Sequence, residues 1–250
     1  LQNIQNSLKI NFKFNLNTFI NKCMEWKNKF TYPKSTRSIV NGSRHYNLGG
    51  SNLPSVTSIL KATQSEEDKA AIEAWKERVG HKEAERIKNE ASSRGSSMHS
   101  YIEQFLLGKF NLDLLDEENK SKKMAVEIID NGLKNKLTEI WGAEATVYYP
   151  GKYAGTADCI GVYEGKETIL DFKQSNKPKK EEYIEDYFLQ IGAYSLAHNT
   201  VHNSKITQGV ILICTVDRLF QDFKIEENEL KNYQNKFLEK VEQFYQIIRR

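Results

Sequence analysis

The spacing of apolar positions divides the chain near its middle. Over residues 15–30, Leu16, Phe19, Ile20, Cys23, Met24 and Trp26 recur at helical intervals, and Tyr32-Pro33 ends the run. A polar segment with Gly42, Gly49, Gly50 and Pro54 follows. Ser65 ahead of Glu66-Glu67-Asp68 reads as an N-cap with an acidic first turn, which predicts a helix through Trp75 to about residue 79, closed by Gly80. A longer run over 82–107 puts Met98, Ile102, Phe105 and Leu106 on one stripe and stops at Gly108. Residues 121–141 predict a further helix with Ile129, Leu133, Leu137, Ile140 and Trp141 as its buried face. The N-terminal half thus reads as helical.

Beyond Gly142 the period shortens to two. Strands are expected over 143–149, 153–163, 167–173, 206–216 and 220–225, with helices over about 180–199 and 226–248. That order predicts an α/β fold with a mixed central sheet flanked by helices, and hairpins where loops are short.

Composition narrows the class. The 250 residues, 39% hydrophobic and 28% charged, suit one soluble globular unit or two intimate ones. With 36 Lys and Arg against 33 Asp and Glu, no global field announces a polyanion, so any nucleic-acid site must be a local concentration of charge. Three widely spaced cysteines without a C-x-x-C argue against a disulfide scaffold and against a cysteine-ligated metal, leaving an intracellular, reducing compartment as the default. No stretch approaches the ~18 consecutive apolar residues of a membrane span, and the Asn- and Lys-rich first thirty residues lack an apolar signal core. A leader ahead of Leu1 stays open. The excess of Lys over Arg, with abundant Asn and Ile, reads as A+T-rich coding and hints at a phage or a low-G+C genome.

The informative segment runs from Gly155-Thr156-Ala157-Asp158 to Asp171-Phe172-Lys173. If Glu164-Gly165 is the turn of a hairpin, Ile160 opposes Ile169 and the two aspartates oppose each other. Cross-strand Cβ atoms then lie ~4.5–5.5 Å apart, and like charges so placed are destabilising unless neutralised. A divalent cation would do so. Period two brings Lys173 beside Asp171. Carboxylates suit Mg²⁺ or Mn²⁺, and such an ion next to an ammonium suits phosphodiester hydrolysis. The nearby run Gly161-Val162-Tyr163-Glu164-Gly165-Lys166 only superficially suggests a P-loop, having one spacer too few and Glu167 where Ser or Thr is needed.

Gly155-Thr156-Ala157-Asp158, Asp171-Phe172-Lys173 and Gln190-Ile191-Gly192-Ala193-Tyr194, taken in order, resemble the PD-(D/E)XK nuclease superfamily in its RecB-like branch, with its G-x-x-D, D-x-K and Q-x-x-x-Y. Arg94-Gly95-Ser96-Ser97-Met98-His99 fits the upstream helix that supplies a metal-binding histidine there. Leu53-Pro54-Ser55-Val56-Thr57 and Asp171-Phe172-Lys173-Gln174-Ser175-Asn176-Lys177-Pro178 are similar to the mitochondrial genome maintenance exonuclease group and its phage relatives. The resemblance covers about residues 50 to 245.

It implies a restriction-endonuclease-like core, with residues 1–50 as an N-terminal helix and polar segment and 51–250 as the nuclease domain. Within the latter, 51–141 would form a helical cover over the cleft and carry the histidine, and 142–250 would form the catalytic sheet core. Asp158, Asp171, His99 and the Phe172 carbonyl would be metal ligands, with Glu144 a further acidic candidate, and Lys173 the catalytic lysine. Gln190 and Tyr194, four apart on one helix face, would brace the site. Arg94, Ser175, Lys177, Lys179 and Lys180 are expected near DNA phosphates, and Trp75 and Tyr101 against bases. The departure is Gln174, where relatives carry Thr after the lysine. The implied function is a Mg²⁺- or Mn²⁺-dependent exonuclease on single-stranded DNA or flaps. A structure-selective endonuclease and a catalytically silent DNA-binding module stand as alternatives. Implied partners are DNA and replication or recombination proteins, with no membrane, in a phage-infected bacterial cytoplasm or the mitochondrial matrix.

Overall fold

The computed structural model describes residues 24–109 and 119–249. Its centre is a six-stranded mixed sheet in the order β1-β5-β6-β7-β8-β9. β1 (Glu25–Trp26) runs parallel to β5 (Leu137–Tyr149). β5, β6 (Tyr153–Tyr163) and β7 (Lys166–Ser175) form an antiparallel meander. β7 pairs in parallel with β8 (Gln208–Thr215), and β9 (Phe220–Glu226) closes the edge antiparallel. The parallel pair β7 and β8 requires a crossover, and the connecting α5 (Glu185–His202) supplies it.

Both faces of the sheet are covered, which explains why β8 is buried at every residue. On one face Phe188, Leu189 and Ile191 of α5 meet Leu230, Phe237 and Val241 of α6 (Glu227–Ile248), together with Val56, Ile59 and Leu60 of the short α1 (Val56–Ala62). On the other, Met98, Ile102 and Leu106 of α3 (His81–Leu106) pack with Met124, Ala125 and Ile128 of α4 (Lys120–Ile128) against Leu170, Phe172, Val210 and Leu212. The α/β class with a mixed sheet between helices is therefore as expected. So is the Ser65 cap, whose side chain accepts the Asp68 N–H at the start of α2 (Glu66–Val79).

The N-terminal half is not helical throughout. The polar segment forms a three-stranded antiparallel sheet of β2 (Thr36–Val40), β3 (Ser43–Leu48) and β4 (Ser51–Pro54). Asn41 and Gly42, both at positive φ, make the tight turn that matches strand twist. The helix expected over 121–141 stops early: α4 relaxes into a π-turn over Ile129–Leu133, and Leu137, Ile140 and Trp141 belong to β5. Their apolar spacing suits a sheet buried on both faces as well as it suits a helix. The helix expected over 15–30 falls mostly outside the described residues. Within them, Glu25–Trp26 pairs with β5 and the Trp26 indole donates to the Leu106 carbonyl at 2.7 Å. α2 buries none of its residues.

Candidate active site at the fork of two strands

The β6–β7 ladder has the predicted register, Ile160 opposite Ile169, and its last pair is Cys159 with Leu170. One step further the Asp158 carboxylate replaces the ladder by accepting the Phe172 N–H at 2.7 Å. The strands part here, so side chains from both helical layers can reach one point. From one layer comes His99 on α3. Its Nε2 lies 2.8 Å from the Phe172 carbonyl oxygen, which can only accept, so Nε2 carries the proton of that bond. A neutral ring then holds its lone pair on Nδ1, 3.5 Å from Asp158 Oδ1 and 3.8 Å from Glu144 Oε1.

Glu144 reaches that point through an irregularity in β5. Its φ of 47° is left-handed, uncommon for a residue with a side chain, while Ala143 and Ala145 keep their ladder partners on β6. His99, Glu144 and Asp158 thus each offer a donor atom within 4.8 Å of the others.

From the other layer come Gln190 and Tyr194 on α5. The Gln190 amide donates to Asp171 Oδ1 at 2.9 Å and to the Tyr194 hydroxyl at 3.2 Å, while its carbonyl accepts from Lys173 Nζ at 3.3 Å. Asp171 Oδ2 meets the Lys173 ammonium and no other donor among the described residues. Asp171 is fully buried, and its burial, reinforced by Asp158, pushes the carboxyl up to about 6 against the pull of Lys173. For Asp158, burial is outweighed by His99 and Lys173, and its pKa is lowered. His99 is raised to about 10: burial opposes its charge, but Asp158 and Glu144 prevail.

Of the residues expected to hold a metal, the structure gathers three, His99, Glu144 and Asp158. Asp171 sits behind them, tied to Lys173 and Gln190, and the Phe172 carbonyl is engaged by His99. The donor set of one imidazole and two carboxylates suits a hard divalent cation. A cleft of about 160 Å³ exposes His99, Glu144, Asp158, Lys173, Gln190 and Tyr194, and an adjoining one of about 500 Å³ lies beneath Gly95, Ser96, Ser100 and Glu103 of α3.

The expected DNA contacts are scattered by comparison. Arg94 donates from Nε to Gln174 at 3.0 Å and from its terminal nitrogen to Asn176, bridging α3 to the end of β7. Ser175 is buried and shapes the next turn by donating to the Lys177 carbonyl at 2.6 Å. Lys177 and Lys180 are exposed and Lys179 is half-buried; none lines either cleft. Trp75 is half-buried on α2, and Tyr101 packs against the α3–α4 core with its hydroxyl accepting from Asn119; neither lines either of these two clefts. Two cleft-lining residues that the sequence reading missed are Arg37 and Arg44, on the unexpected β2–β3 hairpin. Asn41-Gly42 between alternating residues was the available signal.

A mixed sheet covered on both faces, with paired carboxylates, a lysine and a helical histidine at a strand fork, is the arrangement that the PD-(D/E)XK resemblance implied. The relatives agree with it. The chain is 28% identical over 211 residues to mitochondrial genome maintenance exonuclease 1 of Xenopus tropicalis, covering 79% of this chain and 58% of that protein. It is also 28% identical over 175 residues to the Homo sapiens protein of that name, covering 66% and 50%. The chain therefore spans about half the length of these relatives. No protein-family model matches it. Among solved structures, an alkaline exonuclease from Laribacter hongkongensis aligns with 60% of this chain and 81% of its own, at 14% identity and a TM-score of 0.31, too loose a superposition to argue from.

Proposed function

We propose that the protein is a divalent-metal-dependent DNA exonuclease that hydrolyses phosphodiester bonds of single strands or flaps from free ends. The observation that carries this reading is the convergence, at one fork, of the His99, Glu144 and Asp158 donors with the Asp171, Lys173 and Gln190 network. The relatives' names support the choice of exonuclease on DNA. His99, Glu144 and Asp158 would hold Mg²⁺ or Mn²⁺, with Asp171 as a further ligand once its Oδ2 turns from Lys173. The bound cation supplies Lewis-acid charge that favours attack on a phosphodiester.

The chain's own residues do the rest. Lys173 projects from β7 with its ammonium held between Asp171 and the Gln190 carbonyl, where it can donate to an attacking water and orient it. Gln190 keeps Lys173 and Asp171 in register by bonding both, and Tyr194 fixes Gln190. His99 donates through Nε2 to the Phe172 carbonyl, which sets the ring so that Nδ1 faces the carboxylates. Arg94, Lys177, Lys179 and Lys180 would contact the strand away from the chemistry, and Trp75 and Tyr101 its bases. The setting is DNA maintenance, in mitochondria as the relatives' names suggest or in a phage-infected bacterium.

End-labelled single-stranded, duplex and circular DNA, incubated with the protein with and without Mg²⁺ or Mn²⁺, test this. Metal-dependent loss of linear but not circular single strands is expected. Cutting of circles would replace the exonuclease by the endonuclease, and no cleavage under any condition would leave only a DNA-binding module.

A further inference from the structure

The cleft is lined by two arginines, Arg37 and Arg44, that the nuclease residues do not use. On β2 and β3 the register pairs Arg37 with Tyr46 and Ile39 with Arg44, so Arg37, Arg44 and Tyr46 share one face of the hairpin. That face turns toward the fork: Tyr46 is buried, its hydroxyl lies 3.1 Å from Thr156 Oγ1, and both arginines line the cleft beside His99, Asp158 and Lys173. Arg37 donates to Thr156 Oγ1 at 2.9 Å, and its guanidinium stands 5.5 Å from the centre of the Tyr46 ring. The turn end of the hairpin is fixed to the start of α1, because the Arg44 carbonyl accepts the Ser55 N–H at 2.9 Å and the Arg44 N–H donates to Ser58 Oγ at 2.9 Å. Among the described residues no carboxylate lies within ion-pair distance of either arginine.

Charge supplies the next step. Glu144, Asp158 and Asp171 are balanced by Lys173 and one divalent ion, so a phosphodiester entering the cleft would bring a negative charge with nothing left to meet it. Two arginines that meet no carboxylate among the described residues, on a braced hairpin that lines the same cleft, suit that need, and the planar fork of a guanidinium matches phosphate oxygens. We propose that Arg37 and Arg44 form a phosphate clamp that holds one backbone phosphodiester of the substrate strand next to the metal-binding donors. The clamp rests on the nuclease reading for its substrate, but it is a binding claim and can be judged without turnover.

The test measures binding of a fluorescent oligothymidylate across a salt series, with Ca²⁺ in place of Mg²⁺, for the parent protein, Arg37→Ala, Arg44→Ala and the double variant. Lys69→Ala, whose side chain pairs with Glu66 on α2, serves as the control. Circular dichroism establishes that each variant folds, which the exposure of both arginines favours. The double variant should bind roughly tenfold more weakly or worse. Its slope of log K against log salt should be shallower by ~0.7, the value of one phosphate on a single strand, and Lys69→Ala should match the parent. Cleavage is scored separately. An inactive parent that still binds through Arg37 and Arg44 keeps the clamp and removes the nuclease reading. An active parent whose double variant keeps parental affinity and slope removes the clamp.

Discussion

Gly155 opens the G-x-x-D segment, and the structure gives that glycine a steric reason that can be measured. A Cβ built there would lie 2.4 Å from Tyr194 Cε1 and 3.1 Å from both Cζ and the hydroxyl oxygen. Carbon atoms at rest sit ~3.5–4.0 Å apart, so the ring would have to retreat by about 1 Å. It has little room, since Tyr194 is only 4% exposed and its hydroxyl is held by Gln190. Gly155 is not at a left-handed φ, so Gly155→Ala tests packing alone. Overpacking of this kind costs about 1–3 kcal/mol, worth ~2–4 °C of melting temperature per kcal/mol at this chain length. Urea unfolding followed by circular dichroism measures it, and a cycle with Tyr194→Leu assigns it. Removing the ring removes Cε1, Cζ and the hydroxyl, so Gly155→Ala should then be neutral or stabilising by ~0.4–1 kcal/mol through the unfolded chain. The coupling between the two substitutions should therefore exceed ~1 kcal/mol. Additive effects, or a Gly155→Ala variant as stable as the parent, would refute the contact as the reason for the glycine.

Three further outcomes follow from the same site and its surroundings. Asp171→Asn and Lys173→Ala should each lower cleavage by ~100-fold or more while the circular dichroism spectrum is kept, since a general acid or base alone contributes ~10²–10⁴; full activity with Mg²⁺ in either variant would end the assignment. Because His99 is raised to about 10, it is protonated at neutral pH without a metal, and a cation must displace that proton. Calorimetry of Mn²⁺ binding at pH 7 in two buffers of different ionisation enthalpy should show release of about one proton, with affinity rising with pH; His99→Ala should abolish the release, and an unchanged release would place the proton elsewhere. His198 is pushed down to about 3, first by burial and then by His202 and Lys29. Its folded value is below the unfolded one, so the unfolded chain takes a proton that the folded ring refuses, and stability is lost as pH falls from about 6.5 toward 3, by up to ~1.36 kcal/mol per pH unit. Acid unfolding of His198→Gln with the parental slope would contradict this.

What the sequence disclosed depended on whether the deciding interaction was local. The Ser65 cap and the Glu164-Gly165 hairpin are settled within a few residues, and both appear where the spacing placed them. Leu137, Ile140 and Trp141 misled because a strand buried on both faces carries apolar residues at any period, so helical spacing there was coincidence. Glu144 lay between: its type was legible, but the left-handed turn of β5 that aims it at His99 was not. Arg37 and Arg44 were hidden for another reason. No motif spans the hairpin and the fork, and what joins them is the contact of Arg37 and Tyr46 with Thr156, more than a hundred residues along the chain.

The fork itself explains why the site residues are dispersed in this way. A continuous β6–β7 ladder would keep the two helical layers apart, with α3 able to touch only the face that bears Leu170 and Phe172, and α5 only the face that bears Asp171 and Lys173. Ending the ladder at Cys159 and Leu170 frees the Phe172 N–H for Asp158 and its carbonyl for His99, so one residue's backbone binds ligands from both sides of the sheet together. His99 accordingly reaches the fork from the face opposite Lys173, and the cleft lies at the open end of the fork. The β2–β3 hairpin stands at that end, bonded to Thr156 two residues before Asp158. Changes at Thr156 should accordingly reach the site by two routes, through β6 to Asp158 and through the hairpin to Arg37, whereas changes at Phe172 that preserve its backbone should disturb packing alone.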